Sequence, residues 1–375
     1  MNAYAVSSIV LAFFATAGAI PMLRVLPLLL RREVDGAPPT LPDNACPRIA
    51  GAGVFFGIFL ASFYLLEPMP DAAGGLVLGA VLMIVIGGLA EGIGSRPMGA
   101  VRALAGGAFG ALVAGVFALE YLDFSLIRWT PGFFLVLVTA LITPLAMARM
   151  ANRGPASASA GAPMFIGLIE VLMLLLFGAV AAIDKANYAL ADEFLIVALP
   201  AVGSIAAALI YLSPMPWRRQ ALVATGIGGS LALGLLISWG VLRMGPATVR
   251  HYGGMSALLW LVAIPMFELV LDFWRFFHQR VGTGFDLPGR LFNRAINRPH
   301  SLFYLCASSL VFGLAGIVLW RVELYGYWST FGLVPAFLAW VLLPEAIARL
   351  TLRRRPATAG ASLDPSSGAS NRQAS

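Results

Sequence analysis

Long apolar segments constrain the fold of this chain more than any other feature. Of its 375 residues, 59% are hydrophobic and only 11% are charged, whereas a soluble domain carries about 25% charged residues. One crossing of a bilayer takes about 20 mostly apolar residues. The segments here are continuous rather than alternating, which excludes an outer-membrane barrel. The sequence therefore predicts an all-α polytopic membrane protein with about eleven transmembrane helices.

Residues 1–350 are expected to form a single transmembrane domain, followed by a disordered cytoplasmic tail over residues 351–375. The first apolar segment is too long for a signal peptide and has no basic stretch before it, so it is predicted to be retained as a helix. The eleven predicted segments are Tyr4–Leu30, Ile49–Leu66, Ala72–Leu89, Ala103–Leu119, Pro131–Ala148, Met164–Ile183, Phe194–Leu212, Leu222–Leu242, Met255–Phe273, Leu302–Trp320 and Trp328–Leu343.

The basic residues predict how these segments are oriented. If alternate loops are assigned to opposite sides, 20 of the 25 basic residues fall on one side. An excess of Lys and Arg marks the cytoplasmic side, so the N-terminus is predicted outside and the C-terminus inside, as an odd number of helices requires. The net charge of +7 is thus explained by topology and does not indicate nucleic-acid binding. The predicted location is a bacterial inner membrane.

Arginines in the cytoplasmic loops are candidates for binding phosphate, because the planar guanidinium group matches phosphate oxygens. The longest polar interruption, Arg275–His300, carries five arginines against one acid, Asp286. The candidates are Arg48, Arg149, Arg153, Arg218, Arg219, Arg290 and Arg294. Gly226 and Gly228 open the eighth segment, where free backbone N–H groups would bind phosphate. Close helix packing explains the same glycines equally well.

Carboxylates inside or at the ends of apolar segments are functional candidates, because burying them in a membrane is costly. Glu170 lies in the sixth segment. Glu268 and Asp272 lie four residues apart in the ninth and share a helical face, although an ion pair with Arg275 is an equally good explanation for them. Glu91 ends the third segment and is either a site residue or an acid that reaches the water.

Three short motifs resemble those of a known family, the polyprenyl-phosphate N-acetylhexosamine-1-phosphate transferases, or family 4 glycosyltransferases. The translocase that makes the first lipid-linked peptidoglycan precursor belongs to the same superfamily. Residues 47–51 (Pro-Arg-Ile-Ala-Gly) resemble its Pro-Arg-x-Gly-Gly, residues 226–230 its Gly-Asp-x-Gly-Ser, and residues 263–268 its Ile-Pro-x-x-Asp. The resemblance implies a membrane enzyme that uses Mg²⁺ and cytoplasmic aspartates to join a sugar-1-phosphate from a UDP-sugar to a polyprenyl phosphate.

The acidic residues of that family are largely missing here. Its Asp-Asp pair falls on Ala90 and Glu91, its Gly-Asp falls on Gly226 and Ile227, and its histidine cluster falls on residues 291–294, which hold no histidine. Its longest aspartate motif falls on residues 143–153, which place Arg149 and Asn152 at the aspartate positions. Isoleucine cannot bind Mg²⁺, and an arginine beside the ion would repel it.

These losses predict a pseudoenzyme with no cofactor and no metal site. It would bind the lipid bilayer, and either a polyprenyl phosphate or a nucleotide-sugar, or it would hold envelope-glycan enzymes together. One alternative is an active transferase with a rebuilt Mg²⁺ site that uses Glu91 with Glu268 or Asp272. A second is a transporter or flippase whose path is lined by Glu170, Glu268 and Asp272, which predicts inverted repeats and discontinuous helices.

Overall fold

The computed structural model describes residues 2–35, 47–65, 71–92, 143–148, 161–183, 188–213, 221–248, 254–271, 298–322 and 326–353. Within these ranges all regular structure is helical and no strand occurs, so the all-α prediction is confirmed for this part of the chain. The named helices are α1 Asn2–Asp35, α2 Ala50–Leu65, α3 Asp71–Gly92, α4 Ala162–Ile183, α5 Tyr188–Leu212, α6 Gly226–Thr248, α7 Gly254–Leu261, α8 Arg298–Arg321 and α9 Gly326–Arg353. Residues 143–148 and 263–271 are also helical.

Four helices in the described ranges are long and apolar enough to cross a membrane: Val6–Val25, Ala162–Ala181, Phe194–Leu212 and Phe303–Arg321. Shorter apolar helices cover Ala50–Tyr64, Gly74–Gly88, Gly226–Leu242 and Thr330–Leu342. A membrane protein is therefore the class that the fold supports. The full set of eleven crossings and their orientation remain predictions. The fourth predicted segment and most of the fifth lie outside the described residues, as do residues 354–375 of the predicted tail.

Helix α6 is the centre of the bundle. Every residue from Gly226 to Leu242 is buried, and the helix contacts α2, α3, α4, α5 and α7. The outer helices instead expose large apolar side chains such as Phe14, Tyr64 and Phe331, which suits contact with lipid tails. In a membrane, helices associate through close packing rather than by hiding apolar surface from water. The small residues of α6 provide that packing on several of its faces.

The contacts between helices fix their relative directions. Gly53 lies against Ile20, so the beginning of α2 packs against the later part of α1 and the two helices are antiparallel. Tyr211 donates a hydrogen bond to the carbonyl of Ala17 at 2.8 Å, near the end of α5. The hydroxyl oxygen of Ser204, earlier in α5, lies 3.5 Å from the carbonyl oxygen of Ala12, earlier in α1. The two contacts follow the same order in both helices, so α5 runs parallel to α1.

The second half of the bundle follows the same alternation. In the parallel pair of α4 and α8, Met173 packs on Gly313 and the rings of Phe177 and Trp320 are 5.0 Å apart. In the antiparallel pair of α8 and α9, Tyr304 donates to the carbonyl of Trp340 at 2.8 Å. Helix α4 is also parallel to α6, since Gly167 and Gly178 of α4 meet Leu233 and Met244.

One end of the bundle therefore collects the starts of α2, α4, α6 and α8 and the ends of α1, α3, α5 and α9. We call this the motif end, because residues 47–51 and 226–230 both lie there. The arginine-rich loops that the sequence assigns to the cytoplasm connect helices at this same end. The described residues contain one discontinuous helix, in which a turn at Val262 separates α7 from residues 263–271.

Two adjacent glycines of α3 provide a matched test of the central packing. A Cβ on Gly87 would collide with the backbone of Gly228, whereas a Cβ on Gly88 would meet nothing within 4 Å. We expect Gly87→Ala to lower the free energy of unfolding by about 1–3 kcal/mol, as overpacking does. Gly88→Ala should be neutral or slightly stabilising, because alanine favours helix. Thermal unfolding of the two variants in detergent measures the difference, and equal melting temperatures would contradict this packing.

Candidate functional site

Two segments run side by side at the motif end: residues 47–51, where α2 begins, and residues 221–225, which precede α6. We call them the lead-in segments. The amide of Ala224 donates to the carbonyl of Pro47 at 2.9 Å, and the amide of Ala50 donates back to the carbonyl of Ala224 at 3.1 Å. Gly51 donates to the carbonyl of Thr225 at 3.4 Å. The first amides of a helix have no partner inside the helix. Those of Ala50 and Gly51 are thus used to join the two lead-in segments and are not open to an anion.

Glycines bring three helices into backbone contact just beyond this pairing. Gly51 of α2 and Gly229 of α6 face each other, and a Cβ on either one would collide with the Cα atom of the other. Gly87 of α3 meets Gly228 of α6 in the same way. Packing therefore accounts for Gly228 and Gly229. The contact fixes the relative positions of α2, α3 and α6 at the motif end.

Gly226 forms the corner at which the lead-in turns into α6. Its φ angle is +76°, a left-handed conformation that side chains with a Cβ rarely adopt. A Cβ there would also lie 2.8 Å from the carbonyl oxygen of Arg48. The hydroxyl of Ser230 donates to the Gly226 carbonyl at 2.8 Å. Only glycine meets both backbone requirements at this corner.

Arg48 is the predicted phosphate-binding arginine that falls inside the described part of the chain. It is exposed, while its backbone is held next to Gly226. The motif end thus presents a positive charge beside the start of the buried α6. The other predicted arginines lie outside the described residues: Arg149, Arg153, Arg218, Arg219, Arg290 and Arg294.

The predicted carboxylates lie in different parts of the fold. Glu91 belongs to the last turn of α3, one turn beyond Gly87, so the chain reaches the motif end at this residue. Glu268 is buried within residues 263–271, after Pro265. Glu170 is buried in the middle of α4, away from the motif end, and Asp272 lies outside the described residues.

Ile227 occupies the position at which the family resemblance places a metal-binding aspartate. Its side chain is 8% exposed and belongs to the apolar core, and its backbone lies beside Gly87. The arrangement at this point is thus apolar packing rather than an acidic ligand. In the part of the chain that the structure describes, no group of three or more His, Cys, Asp or Glu residues could hold a metal ion.

No protein-family model matches the chain, and no curated protein matches it. The family resemblance consequently rests on the short motifs and on where they lie.

The pairing of the two lead-in segments is a feature that the sequence did not predict. The predicted eighth segment begins at Leu222, whereas α6 begins at Gly226 and residues 221–225 before it are not helical. The glycines near the start of both segments did indicate that another backbone approaches closely there. Glycine in a membrane helix indicates close approach but does not name the partner, so the contact could not be assigned from sequence.

Substitution of Ile227 tests whether this position is packed apolar core. We expect Ile227→Asp to lower the free energy of unfolding by about 3 kcal/mol or more, because a buried carboxylate would lack a counter-charge. Ile227→Leu keeps the volume and should cost less than about 1.5 kcal/mol. Thermal unfolding with and without Mg²⁺ measures both effects. An aspartate variant that is as stable as the leucine variant in EDTA would contradict the assignment.

Proposed function

We propose that this chain is a divergent, glycosyl-1-phosphate transferase-like protein of the bacterial inner membrane that has lost its catalytic metal site. In this proposal it is a pseudoenzyme of cell-envelope glycan or lipid-linked sugar synthesis. It binds polyprenyl phosphate at the motif end, and it either retains that lipid or presents it to active enzymes.

One observation supports this proposal above the others. Two of the three motifs that resemble the family, residues 47–51 and 226–230, are far apart in sequence and yet lie together in the fold. Residues 47–51 form backbone hydrogen bonds with Ala224 and Thr225, directly before the second motif, and Gly51 meets Gly229 within it. Ile227 is buried and apolar, where the resemblance places an acid. Motifs that lie together around an apolar residue in place of a metal ligand support the pseudoenzyme proposal.

The motif end also has the properties that a lipid phosphate needs. A polyprenyl phosphate carries its charge at one end of a long apolar chain, so its binding site must offer a cation at the end of an apolar bundle. Arg48 is exposed there, and α2 exposes Phe56, Leu60 and Phe63 along its length. Arginine binds phosphate without metal through charge-assisted hydrogen bonds.

The decisive experiment measures transfer and binding on the same preparation. Protein in lipid nanodiscs is incubated with a panel of UDP-N-acetylhexosamines, polyprenyl phosphate and Mg²⁺ or Mn²⁺, and release of UMP is followed. We expect no release above that of empty nanodiscs, together with saturable binding of polyprenyl phosphate. Release that requires both substrates would overturn the pseudoenzyme proposal, and an absence of binding would overturn the proposed ligand.

Arg48 and Arg321 form a matched pair for testing where the phosphate binds. Both are exposed, but Arg48 lies at the motif end and Arg321 at the opposite end, where α8 stops. A hydrogen bond to a charged group contributes about 1.5–3 kcal/mol. Arg48→Ala should therefore weaken polyprenyl-phosphate binding at least about tenfold, and Arg321→Ala should leave it unchanged. Equal effects would place the lipid elsewhere.

We further propose eleven crossings with the motif end in the cytoplasm. Single cysteines test this in a variant in which Cys46 and Cys306 are replaced by alanine. Arg48→Cys should be labelled by a membrane-impermeant maleimide only after the inner membrane is opened. Val322→Cys, exposed after the end of α8, should be labelled in intact spheroplasts. The reverse pattern would invert the topology.

An active transferase with a rebuilt site is the second candidate. Glu91 favours it, because this residue belongs to the last turn of α3, the helix whose Gly87 meets Gly228 near the start of α6. In this case UMP release would depend on Mg²⁺ and would disappear in Glu91→Ala. Glu268 or Asp272 would then be the next residues to replace.

A transporter or flippase is the third candidate. The turn at Val262, which interrupts an otherwise buried helix, favours it, since interrupted helices often form the substrate sites of transporters. Uptake or lipid scrambling by proteoliposomes that is lost in Glu268→Gln would support this function over the other two.

A further inference from the structure

Glu170 is a buried carboxylate that the proposed function does not use. It lies eight residues after Ala162, where α4 begins, which corresponds to a depth of about 12 Å along the helix. Its side chain is 1% exposed. A carboxylate at such a depth must be protonated, paired with a cation or bound to a metal ion, because an isolated charge is too costly there.

The described neighbours of Glu170 do not neutralise it. Ser309 of α8 faces the carboxyl group and is itself 2% exposed. Within the described residues, neither the two oxygens of Glu170 nor the hydroxyl of Ser309 makes a hydrogen bond of good geometry. Two polar groups from different helices thus face each other inside the bundle with their bonding capacity unused.

Basic residues are nearly absent from the predicted apolar segments. Among the eleven segments, the one basic residue is Arg24. Arg24 lies on α1, which packs mainly on α2 and α5. The other basic residues of the chain fall outside the predicted apolar segments.

The packing around the pair is tight and apolar on the side away from the motif end. One turn further along, Met173 packs on Gly313, and the next contact joins the rings of Phe177 and Trp320. These contacts hold α4 and α8 in register beyond the level of Glu170 and Ser309.

We propose that Glu170 and Ser309 form an intramembrane site for a small monovalent cation, either a sodium ion or a proton. The carboxylate supplies the negative charge and the serine hydroxyl supplies a second oxygen from the facing helix. A sodium ion would complete its oxygen shell with water, whereas a proton needs the two side chains alone. Binding joins α4 to α8, so occupancy of the site stabilises the contact between these helices. This proposal does not depend on the phosphate site at the motif end.

Other titratable side chains of the helices that contact α4 are spread along those helices, and the experiment must separate them from Glu170. The α5 residues Asp192 and Glu193 lie in its early turns, and the hydroxyls of Tyr211 and Tyr304 donate to backbone carbonyls. The remaining titratable or charged residues of α6 and α8 are Arg243, Arg298, His300, Cys306 and Arg321. A comparison with Glu170→Gln at each condition isolates the contribution of Glu170.

The test is thermal unfolding of the full chain in nanodiscs. One arm exchanges sodium for N-methylglucamine at constant pH and ionic strength, and the other varies pH without sodium. We expect the wild-type melting temperature to rise by at least about 2 °C when the site is filled, and the rise to vanish in Glu170→Gln. A response to sodium identifies a sodium site, and a response to pH alone identifies a proton site.

Two serine variants complete the design. Ser309→Ala should reduce the response that Glu170→Gln abolishes. Ser238→Ala is the matched control, because this buried serine donates to Gly234 within its own helix, and it should keep the full response. A wild-type protein that responds to neither sodium nor pH, or a Glu170→Gln variant that keeps the wild-type response, would overturn the proposal.

Discussion

Backbone contact between glycines is the interaction on which the rest of this bundle depends. A membrane supplies little apolar driving force between helices, so stability comes from how closely they approach. In the described part of the chain, backbones of paired glycines meet where Gly51 faces Gly229 and Gly87 faces Gly228. They bring α2 and α3 against the first turns of α6, which is buried throughout its apolar length. The remaining helices then pack on this group in alternating directions.

This arrangement explains how the motif end keeps its shape without acidic ligands. In a metal-dependent site, the ion itself holds the surrounding loops by binding their carboxylates. In this protein, residues 47–51 and 221–227 are fixed by hydrogen bonds between the lead-in segments, by the left-handed corner at Gly226 and by apolar packing of Ile227. None of these needs a metal. The described geometry of the motif end is therefore held by hydrogen bonds and apolar packing alone.

The sequence predicted the helical fold class, but it did not show how the candidate site residues contact one another. Helix positions follow from apolar length, which is a local property, so most described helices coincide with predicted segments. The pairing of residues 47–51 with residues 221–225 depends on contacts across more than 170 positions, and no local pattern encodes it. The family resemblance named residues 47–51 and 226–230, but it could not show that the amides of Ala50 and Gly51 bond to the carbonyls of Ala224 and Thr225. Sequence also could not separate packing from phosphate binding at Gly228, since glycine suits both. The contact with Ile84 and Gly87 assigns that glycine to packing.

Glu170 shows that position in the fold, more than burial alone, separates candidate acids from one another. As a residue in an apolar segment it is equivalent to Glu268, and both are buried. They differ in their positions within the fold. Glu268 follows Pro265 in the helix that is interrupted at Val262. Glu170 lies in an uninterrupted helix between tight apolar contacts, where Ser309 is the one polar side chain shown to face it. A carboxylate buried in such a place is tolerated only when a proton or a cation neutralises its charge. The free-energy cost of burying the charge therefore supports our proposal that Glu170 binds a sodium ion or a proton.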